Sequence, residues 1–150
     1  MSIKTICKNK RAGHDYQLIE KVEAGLVLQG SEVKSLRAGK ASINESFISV
    51  DASEEAYIIN MSIAPYSHGS YANHEERRKR KLLLHKKQIL KIKQKIRAEG
   101  MTAIPLHLYF KDSRIKLEIA LGRGKKEHDK RQDLAKRDAD RKARSAMKNY

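Results

Sequence analysis

The sequence predicts a mainly β fold with two or three helices, arranged as a small, closed or nearly closed antiparallel barrel. Short segments of alternating apolar residues fill most of positions 1–122, and glycine-marked bends separate them. Only two longer segments have helical spacing. With 150 residues, one domain can bury a core. Since apolar residues become rare from Arg123 onwards, we expect a barrel domain at 1–122 and a tail at 123–150.

The first strand and the first helix follow one another in "YQLIEKVEAGLVLQGSEVKSLRAG". Four apolar residues of the strand share one parity: Leu18, Val22, Leu26 and Leu28. We expect a bulge or kink in this strand at Gly25. In the helix that follows, we expect Ser31 to be the N-cap and Gly39 to end it in the left-handed conformation.

The remaining elements continue this pattern. "ASINESFISV" and "EAYIINMSIA" predict two strands joined by the turn "DASE", and "PYSHGSYANHEE" predicts a loop. "LLLHKKQILKIKQKIRAEG" predicts a helix whose apolar face holds Ile89, Ile92 and Ile96, with Leu90 nearby. "MTAIPLHLYF", "KDSR" and "IKLEIALG" predict a β-hairpin. An oligonucleotide-binding-type barrel is one arrangement that fits these elements.

The charge of the chain predicts an anionic partner. Lys and Arg number 33 and Asp and Glu 18, so the net charge is +15. A nucleic acid is the first candidate and an anionic membrane the second. Eleven cations and no acid lie from Arg77 to Arg97, and the leucines at 82–84 are expected to hold the cations around them in place. The alternative is an amphipathic helix with a solvated basic face.

The tail is expected to be disordered in the free protein and helical on a partner. Residues 123–150 contain eleven Lys and Arg against five Asp and Glu, which leaves a net charge of +6. Few apolar side chains are available to offset the entropy of ordering this segment. A tail that serves only solubility is the alternative.

The sequence predicts neither an enzyme nor a cofactor or metal site. A phosphate-binding P-loop ending at Gly39 would need a glycine where Lys34 stands, and no Gly-x-Ser-x-Gly motif occurs. No Cys and His pairing has zinc-ligand spacing. Cys7 is the single cysteine, and neither a signal peptide nor an apolar span of membrane length is evident. We therefore expect a cytoplasmic protein without membrane contact.

Several strings resemble one bacterial family over nearly the whole chain. They are "NKRA", "EAGLVLQGSEVKSLRAGKASI", "RKLLLHKKQI", "RIKLEIALGRGKKEHDKR" and "DRKARSAMKN". The family is small protein B, the SsrA-binding proteins. The resemblance implies an oligonucleotide-binding-type barrel and an RNA-binding adaptor that grips the tRNA-like domain of transfer-messenger RNA. It also implies delivery to stalled ribosomes for trans-translation, together with elongation factor Tu and the aminoacylated RNA.

The resemblance also implies roles for individual residues. Those expected at the RNA are Asn9, Lys10, Arg11, Glu23, Lys34, Arg37, Leu83 and Lys116. The tail is expected to enter the decoding centre of 16S rRNA and the empty messenger path. Its residues matching the family there are His128, Asp129, Lys130, Arg131, Arg141, Lys142, Arg144, Met147 and Lys148. A general basic ribosome-assembly or structural protein, without RNA selectivity, is the alternative to the adaptor.

Overall fold

The computed structural model describes residues 2–66, 73–125, 131, 134–139 and 141. The described part of the first 125 positions contains nine strands and three helices. The strands are β1 Ile3–Lys8, β2 Tyr16–Leu26, β3 Ala41–Ser42, β4 Phe47–Val50, β5 Ala56–Ile59, β6 Ser62–Ile63, β7 Arg80–Leu83, β8 Thr102–Lys111 and β9 Arg114–Gly124. The helices are α1 Ala12–Asp15, α2 Gly30–Arg37 and α3 Lys86–Glu99. The mainly β fold is therefore confirmed.

Seven strands form one antiparallel sheet in the order β1-β8-β9-β2-β7-β5-β4, and β3 pairs with β6. Within the described residues the two end strands, β1 and β4, are not hydrogen-bonded to each other, so the sheet is an open version of the expected barrel. The predicted hairpin is confirmed as β8 and β9, with Lys111 opposite Arg114. Asp112 in its turn has φ of 57°.

Two irregularities shape the long strands, and neither lies where the sequence suggested. In β2 the register shifts between Leu18 and Glu20, so the expectation of a bulge at Gly25 was wrong. In β8 the register shifts between Pro105 and His107. A proline has no N–H to donate to a ladder, and an interior strand accommodates it at such a bulge.

The helix boundaries follow from capping chemistry. The backbone N–H of Gln29 donates to the Glu32 carboxylate at 2.8 Å, which closes a capping box at the start of α2. Ser31 was therefore the wrong N-cap, and its hydroxyl lies 2.9 Å from Nδ1 of His74. Gly39 adopts φ of 71° after α2, as predicted, and Gly100 adopts φ of 65° after α3.

The core lies between the inner face of the sheet and α3. It includes residues from both halves of the chain, among them Ile58, Met61, Leu82, Ile92, Leu108, Leu117 and Ile119. The predicted apolar face of α3 is confirmed for Ile89 and Ile92, while Leu90 is exposed. In the described part of the chain, no helix is long and apolar enough to cross a membrane.

Candidate nucleic-acid interface

Three residues that were predicted to contact RNA are far apart in the sequence but lie together on the outer face of the sheet: Glu23, Leu83 and Lys116. Gly25 in β2 lies opposite Leu83 in β7 on one side and opposite Lys116 in β9 on the other. Residues opposite each other in a ladder project from the same face, and residues two apart on one strand share it. The structure therefore builds one surface, here called the outer cluster, from these side chains.

Leu83 belongs to this surface and not to the core. Its side chain is 54% exposed, whereas Leu82 beside it is buried. The expectation that all three leucines hold the segment in place is thus met by Leu82 and, in part, by the half-buried Leu84. An added Cβ on Gly25 would lie 3.3 Å from Cβ of Leu83. The glycine leaves Leu83 room to lie across the neighbouring strand, where its apolar side chain is exposed.

The carboxylate of Glu23 is held in place by two residues that the sequence analysis did not identify. The hydroxyl of Tyr109 donates to Glu23 Oε2, and Nζ of Lys111 lies 3.4 Å from Oε1. The hydrogen bond from Tyr109 is the main cause of a lowered pKa of Glu23, and Lys111 adds to it. Burial and the same hydrogen bond raise the pKa of Tyr109. A charged, oriented carboxylate is a hydrogen-bond acceptor for base amines or 2′-hydroxyls.

An aromatic pair extends the outer cluster along β8. The rings of His107 and Tyr109 lie with centroids 4.7 Å apart, and Nε2 of His107 lies 2.9 Å from Oγ1 of Thr5. Burial, and then the charge of Lys8, lower the pKa of His107. The alternation of β8 was the signal for these residues, since His107, Tyr109 and Lys111 share the parity opposite to the inward Leu108.

A second aromatic and cationic pair lies on the far side of Leu83. Nζ of Lys79 lies 4.3 Å from the ring centroid of Tyr57, and Tyr57 is opposite Lys81 in the ladder. Lys81 contacts Glu55 at 3.1 Å. Rings and cations that alternate across one face suit an RNA strand, because the rings can stack on bases while the cations meet phosphates.

The basic run from Arg77 to Lys81 does not present all its charges to solvent. Arg80 is fully buried and forms an ion pair with the equally buried Glu32. Its guanidinium also donates to the carbonyl oxygens of Met61 at 2.6 Å and Glu76 at 3.0 Å. Arg78 donates to the other oxygen of Glu32. Arg80 is therefore not available to a ligand, and it ties α2 to β7.

The charge of Glu32 is stabilised from three sides. Burial alone would raise the pKa of Glu32, but hydrogen bonds from Arg78, the Gln29 backbone and Arg80 outweigh it, and the pKa is lowered. Burial is also the main influence on Arg80 and lowers its pKa. A buried ion pair of this kind holds its two elements in one arrangement, because any shift that separated the charges would leave each of them buried without a partner.

The other RNA residues predicted by resemblance lie outside the outer cluster. The side-chain amide of Asn9 donates to the Pro105 carbonyl at 3.0 Å, which gives Asn9 a structural contact. Lys10 and Arg11 follow β1 and are exposed, and Arg11 lies 3.9 Å from Asp15.

Lys34 and Arg37 are exposed on α2. Nζ of Lys34 is 5.5 Å from the Tyr66 ring centroid. Among the described residues, no hydrogen bond or ion pair joins either cation to the outer cluster.

Most of the predicted ribosome-binding tail falls outside the described residues. This holds for His128, Asp129, Lys130, Lys142, Arg144, Met147 and Lys148. Arg131 and Arg141 are described, and both are helical and exposed. Residues 134–139 are also helical, and Arg141 contacts Asp138 at 2.8 Å. In the described part of the chain, no group of three or more His, Cys, Asp or Glu is placed to hold a metal ion.

Comparisons with known proteins agree with the resemblance. The model of the SmpB protein family matches residues 6–149. The SsrA-binding protein of Pelobacter propionicus is 52% identical over 149 residues, which cover 99% of this chain and 97% of that protein. The SsrA-binding protein of Bifidobacterium adolescentis is 54% identical over 145 residues, covering 97% of this chain and 91% of that protein.

A solved structure is similar in both fold and sequence. It is described as "tmRNA-SmpB: a journey to the center of the bacterial ribosome". Its TM-score is 0.67 at 48% sequence identity, and the match covers 81% of this chain and 85% of that one. At 48% identity the two chains are similar in sequence as well as in fold.

Proposed function

Because this chain belongs to the SmpB family, we propose that it is an RNA-binding adaptor in trans-translation and not an enzyme. Its RNA is the transfer-messenger RNA, whose tRNA-like domain lies on the outer cluster. The names of the relatives describe binding to SsrA, and the similar solved structure combines transfer-messenger RNA with SmpB and the bacterial ribosome. Delivery of this RNA to stalled ribosomes is the function that follows.

The observation that carries this proposal is the acid held in the middle of a basic surface. A protein that bound RNA by charge alone would gain nothing from Glu23, since a carboxylate repels phosphates. Here Tyr109 and Lys111 hold that carboxylate beside the exposed Leu83 and the cation of Lys116. One acceptor, one apolar contact and one cation in fixed positions make a shaped site, which supports selective recognition.

The second part of the proposal concerns the tail. Residues 123–150 occupy the vacant decoding centre at 16S rRNA and the messenger path, while elongation factor Tu accompanies the aminoacylated RNA. The support is compositional: the segment is strongly cationic, poor in apolar residues and free of proline. The helical residues 134–139 are compatible with a helix along that path.

The proposal is tested by RNA selectivity. We expect the tRNA-like domain to bind at least about tenfold more tightly than an equal-length duplex, equivalent to about 1.4 kcal/mol. Affinities are measured at several salt concentrations, because phosphate contacts make all of them salt-dependent. Glu23→Ala should reduce this ratio, with Glu75→Ala as an exposed acid control outside the outer cluster. Equal affinities for both RNAs, or tighter binding by Glu23→Ala, would favour the general basic protein instead.

The division between barrel and tail gives a separate prediction. Deleting residues after Arg131 should leave affinity for the tRNA-like domain within about twofold of the full chain, because the outer cluster is complete without them. Release of stalled ribosomes in a reconstituted translation reaction should be abolished. Loss of RNA affinity in the truncated protein would contradict this division of roles.

A further inference from the structure

A cavity of about 780 Å³ opens at the end of the sheet where β2 begins and β9 ends. Its lining includes Arg11, Tyr16, Asn44, Glu45, Phe47 and Lys125. Tyr16 lies seven residues from Glu23 along β2, which is roughly 23 Å at the rise of an extended strand. The cavity is therefore separate from the outer cluster, and it lies at the base of the tail.

Phe47 presents an aromatic ring at this cavity. The ring is 47% exposed, while its neighbours Ser46 and Ile48 are buried. Phe47 also lines a shallow groove with Lys93 and Arg97 of α3. An exposed phenyl ring beside cations is a surface on which a nucleobase can stack.

Asn44 and Glu45 supply polar groups that suit a base edge. Both are exposed, and neither side chain hydrogen-bonds or ion-pairs with a described residue. The Glu45 carboxylate repels phosphates and accepts hydrogen bonds from N–H donors, so it suits the base of a nucleotide better than its phosphate. Guanine has two adjacent N–H donors on its Watson–Crick edge, and a carboxylate can accept from both.

The rim of the cavity provides positive charge. The Arg11 side chain is 74% exposed. Nζ of Lys125 donates to the Gly13 carbonyl at 2.9 Å, which fixes this ammonium group at the rim. A nucleotide whose base enters the cavity would place its phosphate near these cations.

We propose that this cavity is a second RNA site, which takes an unpaired guanine. The base stacks on Phe47, Glu45 and Asn44 contact its Watson–Crick edge, and Arg11 meets its phosphate. This site rests on the proposed function in one respect, namely that the ligand is RNA. The guanine belongs either to transfer-messenger RNA or to ribosomal RNA, and the experiment distinguishes the two.

The first test uses mononucleotides and the two phenylalanines of the chain. Full-length protein labelled with 4-fluorophenylalanine gives one fluorine signal from Phe47 and one from the half-buried Phe110, which serves as an internal control. Guanosine 5′-monophosphate should shift only the Phe47 signal, at concentrations at least about threefold below those needed for the other three nucleotides. Glu45→Gln should remove this preference. The proposed site would be overturned if ribose 5-phosphate shifted the Phe47 fluorine signal as much as guanosine 5′-monophosphate does. It would also be overturned if guanosine 5′-monophosphate left that signal unshifted.

The second test identifies the source of the base. Affinities of Phe47→Leu are measured for the tRNA-like domain and for the small ribosomal subunit, with Phe47→Tyr as the control that keeps a ring. We expect a loss of about fivefold or more for one of the two, since 1 kcal/mol is the lower end of base stacking. The affected partner supplies the guanine.

The outcomes separate this inference from the proposed function. If Phe47→Leu binds both partners as the wild type does, while Lys116→Ala still weakens binding to the tRNA-like domain, the second site is wrong and the proposed function stands. If the wild type does not prefer the tRNA-like domain to a duplex, the proposed function fails, whatever the nucleotide titration gives.

Discussion

Replacing Tyr109 by Phe tests whether the orientation of Glu23 contributes to RNA recognition. The change removes one oxygen atom and leaves the ring, which is 5% exposed, packed as before. The Glu23 carboxylate then loses the hydrogen bond at Oε2 and keeps only the longer contact with Lys111. In the free protein the side chain becomes mobile, and binding to RNA has to order it.

The size of the effect follows from that ordering. Fixing a flexible side chain in an interface costs about 0.5–1.5 kcal/mol, and a value near 1 kcal/mol corresponds to about fivefold in Kd. The effect on folding is also modest. A hydrogen bond to a charged group contributes about 1.5–3 kcal/mol, but the Glu23 side chain is 38% exposed, so solvent reduces this to about 1 kcal/mol. The Tm should fall by roughly 2–4 °C.

The assay is a double-mutant cycle read out as the Kd for the tRNA-like domain. Tyr109→Phe should weaken binding about fivefold in the wild type and by less than about twofold in a Glu23→Ala background. Tyr57→Phe is the matched control, since the Tyr57 hydroxyl has no hydrogen-bond partner among the described residues. An unchanged Kd for folded Tyr109→Phe, or effects of the two substitutions that simply add, would refute the reasoning.

Two further predictions concern the exposed residues of this surface and the buried Arg80–Glu32 ion pair. Lys116→Ala and Leu83→Ala should both weaken binding to the tRNA-like domain. Only Lys116→Ala should also lower the slope of log Kd against log salt, by about 1. Equal slopes for the two variants would contradict a phosphate contact at Lys116. Arg80→Met should cost up to about 3–5 kcal/mol of the free energy of unfolding in urea titrations, because the buried Glu32 loses its buried ion-pair partner and keeps only the ion pair with the partly exposed Arg78. The double variant Glu32→Gln/Arg80→Met should recover part of this loss. The exposed Arg77 is the control, and a loss as large in Arg77→Ala would contradict a special role for the buried pair.

Local patterns sufficed for most elements of the fold. Alternation placed β8 and β9 with their turn, and the spacing of isoleucines placed α3, because these signals come from residues within one strand or one turn. Boundary details were missed where two local solutions compete. Gln29 and Ser31 can both cap α2, and the capping box with Glu32 decides for Gln29. The bulge in β2 likewise depends on the register with β9, which the sequence of β2 does not contain.

The sequence by itself determined the charge of this protein, its family and the strands that carry Glu23 and Lys116. It did not predict the strand that carries Leu83, because the three leucines were assigned to the helix that begins only at Lys86. Only the tertiary structure decided which charges reach a ligand. Among the cations from Arg77 to Lys81, Arg80 is buried in an ion pair with Glu32, which lies 48 positions away. Glu23 is oriented by Tyr109, which is 86 positions away. Periodicity reports the face of a residue within its own element, but burial and hydrogen bonding depend on the residues that pairing of distant strands brings opposite it.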